Sequence, residues 1–460
     1  MEGWITGGFI LASGLILFFN LWGRSLENHG YLRYAEIARE MIRSREWVVP
    51  HLNGEIFIDK PPLVFWLIAI PSSIHGSVTP LLARLPSALS AWIGVIILFL
   101  WGRQIYGSIQ SGLIAGGALL SSYQYFFQSR LAKTDMILCL FILLSLYFFF
   151  SGYEGSGKRR SLFYALSFFF IGLGTLTKGP FGLSIPLLIM AIFLVKEKKW
   201  NQWVSKDFFW GYLILGLTVL TWVFLFIYRV GLGRSIDLVR NNEILTRTAP
   251  VYFYFIRIWL EFAPWSILIP FLFIYFWKRK MKGGPPGEPF LLIWFITLFI
   301  LLTLFKYRTS RYLLPALPPL ALMIGGRWQK KMLYFLIPIF LVVSIWHLRE
   351  YYWIQRDRTY SPGMVLVCEL KPLLKESKLF GFQLDSSTIE EVNFYLDPIT
   401  PLPILKDTEN FLELLKRKGQ TLVLMPKEKY EEVRIQRHPS MVFIQEFHYK
   451  KGKLVLLCPS

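Results

Sequence analysis

The sequence predicts an α-helical polytopic membrane protein, with about eleven spanning helices and a small α/β domain at its C-terminal end lying outside the membrane. Three observations predict it. Hydrophobic residues make up 54% of the chain, and the mean hydropathy is +0.44, more apolar than an ordinary soluble domain. The apolar residues gather into runs of about 20, the length that crosses a bilayer. The basic residues, which give a formal net charge of +20, sit in short segments between those runs. There they orient helices in a bilayer, which argues against nucleic acid as a partner.

The runs fall at roughly 4–22, 82–101, 111–128, 134–152, 161–177, 180–195, 208–228, 262–277, 289–305, 312–325 and 332–346. The first lacks a basic leader and a small-residue cleavage site, so it reads as a retained helix. Alternate loops carry Lys158, Arg159, Arg160; Lys196, Lys198, Lys199; Lys278, Arg279, Lys280, Lys282; and Arg327, Lys330, Lys331. All fall on one side, and the positive-inside rule makes that side the cytoplasm. The loops at 23–80 and 229–258, and everything after 347, then face outward. The chain divides into a membrane domain, 1–346, and an outer α/β domain, 347–460.

In that second domain Met364–Cys368, Leu379–Leu384, Thr421–Met425 and Lys453–Leu457 read as strands, and Thr388–Leu396 and Asn410–Lys418 as helices. No Gly-rich fingerprint follows a strand, so no nucleotide site is expected. Cys139, Cys368 and Cys458 make neither a metal-ligand spacing nor a disulfide framework.

The first outer loop is patterned rather than slack. Tyr34, Ile37, Ala38, Met41 and Ile42 recur at helical spacing opposite Arg33, Glu36, Arg39, Glu40 and Arg43, which predicts an amphipathic helix on the membrane surface. A turn through Pro50–Gly54 follows, and Asp59-Lys60-Pro61-Pro62 opens a second apolar helix too short to span comfortably. Ionisable residues mark the outer ends of other runs: Arg130, Lys133 and Asp135; Lys178; and Lys306, Arg308 and Arg311. Charges beside hydrocarbon are costly and mark pathways or sites. Their convergence with Asp59 would suit an anionic, phosphate-bearing lipid. The plainer readings are snorkelling anchors for the basic residues and a helix N-terminal acid for Asp135.

Taken in order, Tyr34-Ala35-Glu36-Ile37-Ala38-Arg39-Glu40-Met41, Trp47 through Gly54, Asp59-Lys60-Pro61-Pro62-Leu63, Ala83-Arg84-Leu85-Pro86-Ser87, Thr177-Lys178-Gly179-Pro180, Pro264-Trp265-Ser266 and Arg311-Tyr312-Leu313-Leu314-Pro315 form a series of motifs. It resembles the GT-C-type membrane glycosyltransferases, specifically the lipid A aminoarabinose transferase and protein O-mannosyltransferase superfamily, over roughly the first 330 residues. The resemblance implies transfer of a sugar from a polyprenyl-phosphate donor to a lipid, glycan or protein acceptor at the outer face of a bacterial inner membrane. Lys60, Arg33, Lys178, Arg308, Arg311 and Tyr312 are the candidates to hold the lipid phosphate, whose charge develops as it leaves. The rivals are a lipid or solute transporter and an inactive scaffold of the same fold.

One departure bears on mechanism. The family places an acidic pair four and three residues before the tyrosine matching Tyr34, where this chain has Gly30 and Tyr31. Asp59, Glu27 and Asp135 are the remaining candidates for a catalytic carboxylate, which a hydroxyl acceptor needs as a base and a phosphate acceptor does not. No histidine occurs between residues 76 and 346, so a metal-binding histidine of some relatives has no counterpart. Dependence on a divalent cation stays open.

Overall fold

The computed structural model describes residues 2–23, 25–26, 32–241, 249–279, 285, 287–327, 361–374, 377–396, 402–405, 407–415, 421–435, 441–450 and 452–459, with isolated positions between 338 and 349. In chain order the membrane part contains α1 (Glu2–Phe18), α2 (Leu32–Ser44), β1 (His51–Leu52), β2 (Glu55–Ile56), α3 (Leu63–His75), α4 (Pro80–Tyr106), α5 (Ile109–Ser121) and α6 (Tyr123–Ser129). It continues with α7 (Thr134–Glu154), α8 (Gly157–Lys178), α9 (Pro180–Lys196), α10 (Lys206–Val230), α11 (Leu232–Asn241), α12 (Phe253–Glu261), α13 (Ile269–Arg279), α14 (Gly287–Leu304) and α15 (Leu317–Gly325).

Among the described residues α4, α7, α8, α10 and α14 are long and apolar enough to cross a membrane, and α1, α3, α5 and α9 are shorter apolar helices. Two expected spans are broken. The run at 111–128 divides at Ser122 into α5 and α6. The run at 262–277 is the second arm of a bent pair, Phe253–Glu261 and Trp265–Lys278, meeting at 116°. Pro264 ends the first arm because it has no N–H to donate and its ring clashes with the preceding turn. The run at 312–325 begins as a 3-10 turn, Ser310–Ala316, before α15. The run at 332–346 lies largely outside the described residues.

The packing of α8 on α9 explains one motif. Lys178 is the last residue of α8, Gly179 follows at φ +61°, and Pro180 opens α9. A positive φ favours glycine, and proline is preorganised for the first helical position. Three residues on, Gly182 lies so close to Gly174 that an added Cβ would sit 2.0 Å from a backbone carbon. The two helices therefore meet backbone to backbone beside Lys178.

The loop at 23–80 is folded throughout its described length. The turn becomes a hairpin, with His51 opposite Ile56 and Leu52 opposite Glu55, closed by Asn53 (φ +56°) and Gly54 (φ +81°). Asn-Gly suits two successive positive-φ residues. The Glu40 carboxylate accepts from the Asn53 and Gly54 amides at 2.6 and 3.1 Å. The surface helix needs correction: α2 has no fully solvated face, because Glu36 and Arg39 are buried with its apolar residues. It is covered by α3 on one side and by a helix of the C-terminal domain on the other.

That domain comprises α16 (Pro362–Leu374), β3 (Lys378–Phe382), α17 (Ser386–Leu396), β4 (Ile404–Leu405), α18 (Thr408–Leu415), β5 (Thr421–Pro426), α19 (Lys427–Ile435), β6 (Met441–Tyr449) and β7 (Gly452–Pro459). The sheet order is β4-β3-β5-β7-β6, parallel between β4, β3 and β5 and antiparallel where β7 joins β5 and β6. Met364–Cys368, expected as a strand, lies in α16. Ser361 caps it by accepting from the Met364 amide at 3.1 Å, Pro362 opens it, and Gly363, Leu366, Val367 and Leu370 are buried at helical spacing. None of the three cysteines forms a disulfide.

Candidate active site

Because α7 and α8 form an antiparallel hairpin, the N-terminus of one and the C-terminus of the other share an end of the bundle. Asp135 sits in the first turn of α7 and Lys178 in the last turn of α8, each where the helix dipole favours its sign. They form a buried ion pair, with side chains 5% and 7% exposed. Arg311, from the 3-10 turn before α15, places its Nε 3.8 Å from the other Asp135 oxygen. The Lys178 ammonium also lies over the Tyr312 ring, 4.3 Å from its centre. The turn at 155–157 and the basic residues Lys158, Arg159 and Arg160 lie at the opposite end of the hairpin.

The loop at 23–80 adds further cations. Lys60 interacts electrostatically with Asp59, Asp135, Arg311 and Arg33, and burial pulls its ammonium below the ordinary lysine value. Among the described residues Lys60 forms no ion pair; its Nζ donates to the Asp59 carbonyl at 2.7 Å. Tyr34 bonds the Thr134 side chain and interacts with Asp135, Arg311 and Arg33. Lys133 interacts with Arg311, Asp135 and Lys178. Positive charge therefore exceeds what buried Asp135 balances, the electrostatic shape of an anion site.

Lys60 also lines a cavity of about 570 Å³ whose walls are almost wholly apolar: Phe57, Ile58, Trp222, Phe226, Ile227 and Leu232. The loop at 23–80 and α10 are tied together beside it, with Trp222 Nε1 donating to the Val48 carbonyl at 3.0 Å and Arg229 lying 3.6 Å from Glu46.

Of the sequence candidates, the structure brings together Asp135, Lys178, Arg311, Tyr312, Lys60 and Arg33. Arg308 is engaged elsewhere, donating to the Ala249 carbonyl and, at 2.7 Å, to the Thr303 carbonyl. Asp59 is exposed beside the cluster. Glu27, with Gly30 and Tyr31, lies outside the described residues. Arg130, read as an anchor at a helix end, is instead fully buried, donating to the Leu17 and Phe19 carbonyls at the end of α1. Among the described residues no group of three or more His, Cys, Asp or Glu could hold a metal ion.

Sequence reasoning missed the buried polar residues that hold the segment bearing Arg311. Glu261, fully buried in the last turn of α12, pairs with Arg257 and accepts from the Ser310 hydroxyl. Gln124, with its amide turned to satisfy both neighbours, donates to Glu261 at 2.6 Å and accepts from the Arg311 amide at 3.2 Å. The only trace in the sequence is a helical i,i+4 spacing of Arg257 and Glu261, a pattern common on any helix.

A helical bundle with its charged cluster at one end, beside the loop at 23–80 and a C-terminal domain, is a fold shared with solved membrane glycosyltransferases. The crystal structure of ArnT from Cupriavidus metallidurans bound to undecaprenyl phosphate matches with a TM-score of 0.83, covering 99% of this chain and 98% of that one at 18% identity. The oligosaccharyltransferase AglB from Archaeoglobus fulgidus matches at 0.57, over 93% and 70% of the two chains at 13% identity. A family model described as dolichyl-phosphate-mannose-protein mannosyltransferase matches residues 59–226. In sequence, the undecaprenyl phosphate-alpha-4-amino-4-deoxy-L-arabinose arabinosyl transferase 2 of Pseudomonas fluorescens is 27% identical over 71% of this chain and 56% of its own length. The corresponding transferase of Edwardsiella ictaluri is 26% identical over 71% and 60%. The chain spans less than two thirds of the length of these relatives.

Proposed function

We propose that this chain transfers a sugar from a polyprenyl-phosphate donor to an acceptor on the outer face of a bacterial inner membrane, with residues 347–460 outside the cytoplasm. The observation that carries the reading is Lys60, which lines the apolar cavity and also interacts with Asp135 and Arg311 in the cationic cluster. A ligand with an anionic head and a long apolar tail matches both halves. The relatives named for undecaprenyl-phosphate-linked aminoarabinose support the donor class, and the resemblance of the sequence motifs to the lipid A aminoarabinose transferases points to a lipid A-like acceptor.

In this reading Lys60, Lys178, Arg311 and Arg33 hold the phosphate, and Tyr312 walls the ammonium of Lys178 from one side. The bond from the anomeric carbon to the phosphate oxygen breaks, its electron pair leaves with the polyprenyl phosphate, and the acceptor oxygen bonds to the same carbon. Lys178 and Arg311, fixed around the departing oxygen, stabilise the charge that develops there, while Lys60 and Arg33 hold the phosphate in ground and transition states alike. Asp135, already paired with Lys178 and Arg311, serves to hold these cations in place. For a hydroxyl acceptor, Asp59 or Glu27 takes the proton.

The test is binding and turnover of a labelled undecaprenyl-phosphate sugar. Lys60→Ala weakens donor binding by about tenfold, the loss of one charge-assisted contact, while the folded yield stays near that of the parent. Asp59→Asn or Glu27→Gln lowers turnover by about 10² to 10⁴ if that residue is the base. A Lys60→Ala protein that binds the donor as the parent does would remove Lys60 from the site.

A further inference from the structure

Burying a carboxylate is costly unless a cation and hydrogen bonds meet it. The C-terminal domain buries two in succession, Glu390 and Glu391, each 1% exposed. Adjacent residues on a helix point in different directions, and these two use their directions differently. Glu391 turns into its own domain, accepting from the Gly363 amide and pairing with Lys450 at 3.3 Å. Glu390 turns out of it. Its Oε1 accepts from Arg33 Nε at 3.0 Å and lies 2.8 Å from Arg33 Nη2, 357 residues away in the chain.

Arg33 needs such a partner. It lies in the first turn of α2, where the helix dipole disfavours a cation, and an arginine side chain left alone has many rotamers. It is also electrostatically coupled to Lys60 and Tyr34 in the cationic cluster. The helix carrying Glu390 is itself fastened to the outer loop. Asn393 Nδ2 donates to Asn53 Oδ1 at 2.6 Å, the Tyr395 hydroxyl donates to the Leu26 carbonyl at 2.7 Å, and the Arg39 guanidinium lies 6.0 Å from the centre of the Phe394 ring.

We propose that Glu390 is a positioning residue supplied by the C-terminal domain, which holds Arg33 toward the donor phosphate and so makes that domain part of the donor site. The proposal rests on the lipid-phosphate reading above. Glu390 touches no reacting atom; it acts through Arg33.

The experiment uses the full chain in detergent, with undecaprenyl phosphate as the binding probe, transfer kinetics, and size-exclusion chromatography for the folded amount. Glu390→Gln keeps the shape and removes the charge. It raises the donor Kd and KM roughly 3- to 10-fold with kcat within about twofold, since an interaction made equally in ground and transition states changes KM alone. The exchanged pair, Arg33→Glu with Glu390→Arg, restores the inter-domain contact and the folded amount but leaves donor affinity low, because the cation has moved away from the phosphate. Glu446→Gln, whose partners Lys427 and Lys453 belong to its own domain, leaves donor affinity at the parental value. Parental affinity in Glu390→Gln, or full affinity in the exchanged pair, would show a structural clamp and overturn the proposal alone. A parent chain that does not bind undecaprenyl phosphate would overturn the donor reading and this proposal with it.

Discussion

The end of the bundle that carries Asp135 and the sheet of the C-terminal domain both pair carboxylates with lysines, under opposite solvation. Asp135 and Lys178 are almost fully enclosed. Glu446 bonds Lys427 at 2.7 Å and Lys453 at 2.5 Å, with all three side chains 25% to 42% exposed. An exposed pair gains little because water already solvates both charges, whereas a buried pair becomes indispensable once both charges have been desolvated. Similar residue types therefore form a buried contact in one region and decorate a surface in the other.

The comparison is broken most directly at Lys178. Lys178→Ala leaves Asp135 buried without its ion-pair lysine, with Arg311 Nε at 3.8 Å, and removing one partner of a buried pair costs about 3 to 5 kcal/mol. The expected result is a large fall in thermal stability in detergent together with loss of donor binding. Lys178→Ala combined with Asp135→Asn recovers part of the stability and none of the binding. Full recovery of binding in the double variant would show that the pair is structural.

A smaller effect comes from pH at α2, where burial pushes the Glu36 carboxyl up from the ordinary 4.5 to about 7 despite the opposing pull of Arg39. A raised carboxyl pKa means that the folded state binds the proton more tightly. Its stabilising contribution is complete below about pH 4.5 and is lost as pH rises through about 7. Thermal unfolding of the parent therefore shifts to lower temperature between pH 5 and 8 relative to Glu36→Gln, which has no proton to lose there. Parallel curves for the two proteins would contradict the burial argument.

The smallest effect, with the opposite sign, belongs to Glu446, which Lys427 and Lys453 hold at about 2 through hydrogen bonds and charge. Its contribution is present above pH 4.5 and fades as pH falls from there through 2. Glu446→Gln should be nearly indistinguishable from the parent at pH 7, and any difference should disappear in acid. A large loss of stability at pH 7 would mean that the exposed cluster carries weight like that of the buried one.

Much of this was legible in the sequence because bilayer insertion reads local patterns. Apolar runs located the principal helices, and the β-rich runs at 379–384, 421–425 and 453–457 located three of the strands. Local patterns also misled where two periods overlap. The β-branched character of Met364–Cys368 suggested a strand, while burial at 363, 366, 367 and 370 made it a helix. The bend before Trp265 had its proline in plain view, but the hydropathy of the run on its far side resembled that of a whole span.

By itself the sequence determined an apolar, many-helix chain with charges gathered at helix ends and an α/β domain after it, because hydropathy, charge placement and turn chemistry act over a few residues at a time. The tertiary structure alone decided which charges meet. Asp135 finds Lys178 only through the α7 and α8 hairpin, Gln124 and Glu261 reach the segment bearing Arg311 from separate helices, and Arg33 finds Glu390 across two domains. Ion pairs and hydrogen bonds require contact within about 4 Å, and contacts between residues so distant in sequence arise only when the whole chain has packed.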